Sequence, residues 1–145
     1  MAEVKRFLSE KDEEEIVAAI REAEMKTSGE IRVHIERHTD KDPFDHAIEI
    51  FHQLKMDNTK LQNGVLIYLA IDDHNFVILG DKGINDVVPE GFWETTKDLM
   101  AGHFKKGDFK QGLIDGILMA GEQLQAHFPW DSKGDINELP DQISR

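Results

Sequence analysis

The sequence predicts an α/β fold: an α/β/α sandwich with a Rossmann-like mixed sheet and helices on both faces. Three observations carry that expectation. An alternating segment (residues 30–37) and a continuous apolar segment (Gly64 to Ile71) flank a stretch with helical spacing, the pattern of two parallel strands joined by a right-handed crossover. A third apolar stretch, Phe76 to Leu79, follows the turn Asp72-Asp73-His74-Asn75 closely enough to pair antiparallel. Before and after this block, apolar residues recur at spacings of three and four. A chain of 145 residues suits one domain, taken as residues 1–130, followed by a polar acidic tail at 131–145.

Residues 9–26 read as the first helix. Ser9 is a good N-cap, and Asp12 stands three residues on in a capping-box position. Phe7 and Leu8 suit a hydrophobic staple, and the acids of residues 10–15 face the positive end of the helix dipole. Ile16, Val17, Ile20 and Ala23 form the buried stripe, and Thr27-Ser28-Gly29 ends it. In the first strand Ile31, Val33 and Ile35 face one side, with Arg32, His34 and Glu36 on a wetter one. Asp42-Pro43 is a cap followed by a first-turn proline, and Phe44, Ala47, Ile48, Phe51 and Leu54 continue that helix to about Met56. The run from Gly64 to Ile71 has no polar alternation, so it belongs in the centre of the sheet.

The remainder reads as helical. One helix is expected over residues 89–105 with Pro89 at its start, and another over 109–127 capped by Asp108. Gly112, Gly116 and Gly121 lie near one face of the latter and permit close approach of a neighbour. The element order is α-β-α-β-β-α-α.

Composition narrows the function. Seventeen Lys and Arg against 29 Asp and Glu give a net charge of −12, which disfavours a nucleic-acid backbone or an anionic membrane as partner. It suits divalent cations or basic proteins. Without cysteine there is no disulfide, thiolate catalyst or Cys-ligated metal. No signal-length or membrane-length apolar segment is present, so the chain reads as cytoplasmic, with no membrane segment. HExxH, GxSxG and Walker A patterns are missing, which leaves zinc-protease, serine-hydrolase and nucleotide-hydrolase chemistry without support.

The topology places candidate chemistry at the two ends of the sheet. Parallel first and second strands share a carboxyl rim, where ligands of open α/β sheets tend to sit. That rim gathers Asp40 and Asp42 from one loop with Asp72 and Asp73 from the turn, a set of hard oxygen ligands for Ca²⁺, with Mg²⁺ as the alternative. His38 and His74 fall on the same rim, as a general acid or base or as phosphate-oxygen ligands. The opposite rim collects Glu30, Asn63, Asp81 and Asn85, for which loop capping is the plain reading. The residues themselves do not single out a catalytic group.

These segments resemble a known family. Ser28-Gly29-Glu30-Ile31-Arg32-Val33, then Asn63-Gly64-Val65-Leu66-Ile67-Tyr68, then Asp72-Asp73-His74 leading to Gly80-Asp81-Lys82-Gly83-Ile84, are similar to the TPM domain (TPM phosphatase) family. Phe104-Lys105-Lys106-Gly107-Asp108-Phe109 with Gly112-Leu113 resembles its closing helices, and Asn137-Glu138-Leu139-Pro140-Asp141 the ending of short soluble bacterial members. The resemblance implies an α/β/α sandwich, an acidic groove that holds Ca²⁺, and acid phosphatase activity or auxiliary, partner-serving roles in some members. The family's Asp-Asp-Arg turn matches Asp72 and Asp73, but its arginine position holds His74; a family glutamate falls on Asn85. The expected function is therefore divalent-metal binding with a protein partner, and the alternative is a metal-dependent phosphomonoester hydrolase with Asp73 as ligand and Asp72 as second ligand or base.

Overall fold

A computed structural model describes residues 8–56, 62–129 and 143–144. The elements are α1 (Glu10–Glu24), β1 (Glu30–Glu36), α2 (Pro43–Gln53), β2 (Gly64–Ala70), β3 (Asn75–Gly80), α3 (Lys82–Asn85), α4 (Glu94–Lys105) and α5 (Phe109–Gln125). The fold is mixed α/β, with a three-stranded sheet in the order β1-β2-β3. β1 and β2 are parallel, in register from Glu30↔Gly64 to Glu36↔Ala70. β2 and β3 are antiparallel, with Val65 opposite Gly80 and Ala70 opposite Asn75.

Helices cover both faces. On one, Ile31, Val33 and Ile35 of β1 and Val65, Ile67 and Leu69 of β2 join a core with Ile16, Ile20, Met100, Leu113, Ile117 and Leu124 from α1, α4 and α5. On the other, Leu66, Tyr68 and Ala70 pack against Ala47, Ile50 and Phe51 of α2, with Met56. β2 is therefore buried along its whole length, as its unbroken apolar sequence requires.

The start signals act as their chemistry dictates. Ser9 Oγ accepts from Asp12 N, and the Asp12 carboxylate accepts from Ser9 N, which completes the capping box of α1. Asp42 and Asp108 cap α2 and α5 by accepting from the amides of Asp45 and Gln111. Lys110 pairs with Glu15 at 2.9 Å and lies 3.7 Å from Asp12, so part of the α1 acid run is a cross-helix ion pair. The α5 glycines let neighbours close in: a methyl on Gly116 would meet Met100 Sδ at 2.4 Å, and one on Gly121 would meet the Ala23 backbone at 3.0 Å.

Three expectations need correction. The helix expected from Pro89 starts at Glu94 instead. Gly91 adopts φ +77°, and the amides of Phe92 and Glu94 bond to Pro89 and Gly91 in separate turns, which breaks the helical ladder there. The expected element order lacks α3, a one-turn helix after β3 that Asp81 caps through the Lys82 amide, in keeping with the plain reading of that residue. Finally, His34 is buried although its strand face reads as wet, because it stacks on Tyr68 and Ser144 settles against its ring. Phe7, Trp130 and most of the acidic tail lie outside the described residues.

Candidate functional site

The parallel register continues past the strands and builds the carboxyl rim. Ile71 N donates to Glu36 O, and Asp72 N donates to Arg37 O at 2.8 Å, so the turn after β2 lies beside the loop after β1. The rim thus gathers acidic residues from two segments, but it brings cations with them. Asp72 pairs with Arg37 at 2.8 Å. Asp73 accepts from His38 Nδ1 at 2.6 Å and from the Thr39 amide at 3.0 Å. The other ring nitrogen, Nε2, donates to Asp40 at 2.7 Å. His38 therefore stands between Asp73 and Asp40, which join through its ring. Asp42 is not part of this chain: its side chain is committed to the α2 amide end.

The electrostatics follow from that arrangement. The hydrogen bond to Asp73, reinforced by the one to Asp40, pushes the His38 imidazole up to about 9, so the ring is a cation at neutral pH. The same bond, helped by the Thr39 amide, holds the Asp73 carboxyl below the ordinary carboxylate value. Asp40 is 96 % exposed at its side chain and Asp73 only 19 %.

Beneath this rim lies a cluster that the sequence did not announce. Glu36 accepts from Tyr68 Oη at 2.8 Å, from His34 Nε2 at 2.9 Å and from His46 Nε2 at 2.9 Å. Burial alone would raise the Glu36 carboxyl, but the three donors outweigh it and hold it below its usual value. The Tyr68 hydroxyl is raised, first by burial and then by its bond to Glu36. His34 stacks on Tyr68 and His46 meets it edge-on, with ring centroids 5.9 and 5.6 Å apart. One signal was available: His34 and Glu36 are two apart on one strand face, and parallel register sets Tyr68 beside them.

The opposite, amino rim is built differently. Glu30 is in register with Gly64, and Asp81 N donates to Gly64 O just beyond β3. Leu66 and Leu79 face α2, so by the two-residue period Gly64 and Asp81 face that side too, and Glu30 shares it through its register. The backbones that carry these two acids thus flank a central position that has no side chain, about 10 Å apart at two strand spacings, a gap their side chains span if they share an ion. Glu30 and Asn63 are 4 % and 2 % exposed. Asp81 Oδ1 caps α3, whereas its Oδ2 is enclosed and makes no hydrogen bond. Asn85 Nδ2 donates to Gly80 O at 3.0 Å and Asn63 Nδ2 reaches Ser28 Oγ at 3.4 Å, which leaves each amide carbonyl as its ligand-capable end.

Ca²⁺ takes six to eight oxygen ligands, as a rule. Of the carboxyl-rim residues, Asp73 engages both oxygens, while Asp40 and Asp72 each give one to a cation and Asp42 one to a helix end. Among the described residues no group of three or more His, Asp or Glu is arranged to hold an ion. The amino rim fits a hard cation better in one respect, the buried oxygen of Asp81 that nothing satisfies.

A mixed three-stranded sheet with helices on both faces defines an α/β sandwich domain. The chain belongs to the TPM domain family, whose sequence model matches residues 3–123. It is similar to the BA42 protein of the psychrophilic bacterium Bizionia argentinensis, solved by NMR: 58 % identity over 99 % of each chain, TM-score 0.92. The fold also recurs in the N-terminal domain of a P. gingivalis protein, at 24 % identity over 84 % of this chain and 79 % of that one, TM-score 0.69. A third likeness is the N-terminal domain of the cg2496 protein of Corynebacterium glutamicum, at 14 % identity over 95 % and 80 %, TM-score 0.62. None of the curated proteins matches the chain. Among the described residues no helix is long and apolar enough to cross a membrane.

Proposed function

We propose that this TPM domain is a non-catalytic, divalent-cation-binding module that serves a protein partner, with Ca²⁺ rather than Mg²⁺ as its ion. The observation that carries the reading is the enclosed, unsatisfied Oδ2 of Asp81, at the same end of the sheet as buried Glu30 and Asn63. An unpaired buried carboxylate oxygen is costly, and a hard cation is the chemical remedy. Asp81 and Glu30 would supply charge, with the Asn63 and Asn85 carbonyls and water completing the shell. Ca²⁺ suits such a mixed and irregular ligand set better than Mg²⁺, which demands near-octahedral geometry. The net charge of −12 favours cation capture over nucleic acid.

A Ca²⁺ titration of ¹⁵N-labelled protein tests this. Shifts are expected to centre on Glu30, Asn63 and Asp81, and Asp81→Asn is expected to remove them. At a hundredfold excess over Kd the ion stabilises the domain by about 2.7 kcal/mol, a gain the variant loses. Shifts confined to Asp40, Asp72 and Asp73 would move the ion to the carboxyl rim, and flat spectra at millimolar Ca²⁺ would end the metal reading.

One observation favours a second reading, metal-dependent phosphomonoester hydrolysis. The turn Asp72-Asp73-His74 lacks the family's arginine, yet Arg37 supplies a guanidinium to Asp72 from the end of β1. With the His38 imidazolium it offers two cations for a phosphoryl group. Turnover of a generic phosphomonoester that Asp73→Asn abolishes would establish it.

A further inference from the structure

β1 is an edge strand, and edge strands expose unpaired backbone groups that invite wrong partners. Its outward row is Ile31, Val33 and Ile35. The Ile31 amide donates to the Glu24 carboxylate at 3.1 Å. Ser144 N donates to Val33 O at 2.7 Å, and Ile35 N donates to Ser144 O at 2.9 Å, a one-residue parallel bridge to His34. The Ser144 hydroxyl lies 2.9 Å from His34 Nδ1, and Ile143 packs on the main core. A second isolated bridge, Thr27↔Pro129, lies just ahead of this strand.

We propose that Ile143 and Ser144 form a releasable strap over the β1 edge, latched by Ser144 on His34 and let go when that imidazole takes up a proton. The groups facing His34 are Glu36 and Arg32 from β1, Tyr68 from β2, His46 from α2, and Ser144 from the strap. The Glu36 carboxylate only accepts, so His34 Nε2 carries its hydrogen, and in the neutral ring Nδ1 accepts the Ser144 O–H. A proton on Nδ1 removes that acceptor and creates a buried cation beside Arg32 and His46. Burial holds the His34 ring below its ordinary value, against the pull of Glu36. Lifting the strap opens Nδ1 to water and relieves that burial. A ring that protonates more readily with the strap off draws the equilibrium towards release as pH falls.

Amide exchange of Ile35 reads the strap, with Leu69 of the buried central strand as internal reference. Between about pH 7.5 and about pH 5 the protection factor of Ile35 is expected to fall at least about tenfold while that of Leu69 holds. In His34→Gln the Ile35 value should not vary with pH. Ser144→Ala, which leaves the core intact, should lower Ile35 protection at neutral pH and flatten its pH dependence. Ile35 tracking Leu69 at both pH values, or an undiminished pH response in Ser144→Ala, would overturn the proposal.

Discussion

The two ends of the sheet solve one electrostatic problem in opposite ways. Both carry carboxylates on a protein already at −12. The carboxyl rim supplies its own cations, Arg37 for Asp72 and His38 for Asp73 and Asp40. The amino rim buries Glu30 instead and leaves Oδ2 of half-buried Asp81 without a hydrogen bond. The first rim meets its charge with neighbouring cations, whereas the second leaves one enclosed carboxylate oxygen without a hydrogen bond. Counting acidic residues does not distinguish the two; asking where each oxygen's hydrogen bonds go does.

The sharpest way to break the self-sufficient end is from beneath. Glu36→Ala leaves His34, His46 and Tyr68 without their common acceptor, and a loss of about 3 kcal/mol is expected. At this chain length that lowers Tm by roughly 10 °C in a thermal melt. A loss under about 0.5 kcal/mol would mean water satisfies the three donors equally well.

A gentler test is titration of His38 by NMR. Its raised value means the rim's contribution to stability is full below the ordinary 6.5 and lost as pH climbs through about 9. Asp73, lowered, contributes above its ordinary value and loses that as pH falls through its depressed one. The expected His38 midpoint is near 9, and Asp73→Asn should bring it down towards 6.5. A wild-type midpoint at 6.5 would remove the resident cation and make the two rims alike.

Asp40→Asn should do least. Its carboxylate is almost fully exposed and is the lesser of the two causes acting on His38, so the midpoint should drop by less than in Asp73→Asn. Tm should not move. If Asp40→Asn matched Asp73→Asn, the ranking of the two bonds would be wrong.

Local signals were legible in the sequence where one element decides them. Ser9 with Asp12, Asp42 with Pro43, and Asp108 mark helix starts because the capping partner lies three residues away. The unbroken β2 run announced the centre of the sheet for the same reason: burial on both faces leaves no polar alternation. Gly91 overrode Pro89 as the boundary of α4 because a positive φ is stronger punctuation than a proline suited to a first turn. What was not legible depends on contacts between segments. Arg37 reads as an ordinary strand-end residue until register places Asp72 beside it. His34 reads as solvent-facing until Ser144, 110 positions later, settles over it. The rim aspartates could be assigned to one end of the sheet, but their cationic partners could not, since two loops had to be aligned to a single residue.

The packing of α5 against α4 and α1 carries a consequence for any effort to redesign this domain. At Gly116 the obstacle to a methyl is the far end of Met100, a chain that can swing away; at Gly121 it is the Ala23 backbone, which cannot. Randomising both codons and selecting for soluble protein should therefore return a spread of small residues at the first position and almost nothing but hydrogen at the second. The separation of two helices is here dictated by one missing carbon, and evolution has little room to vary it.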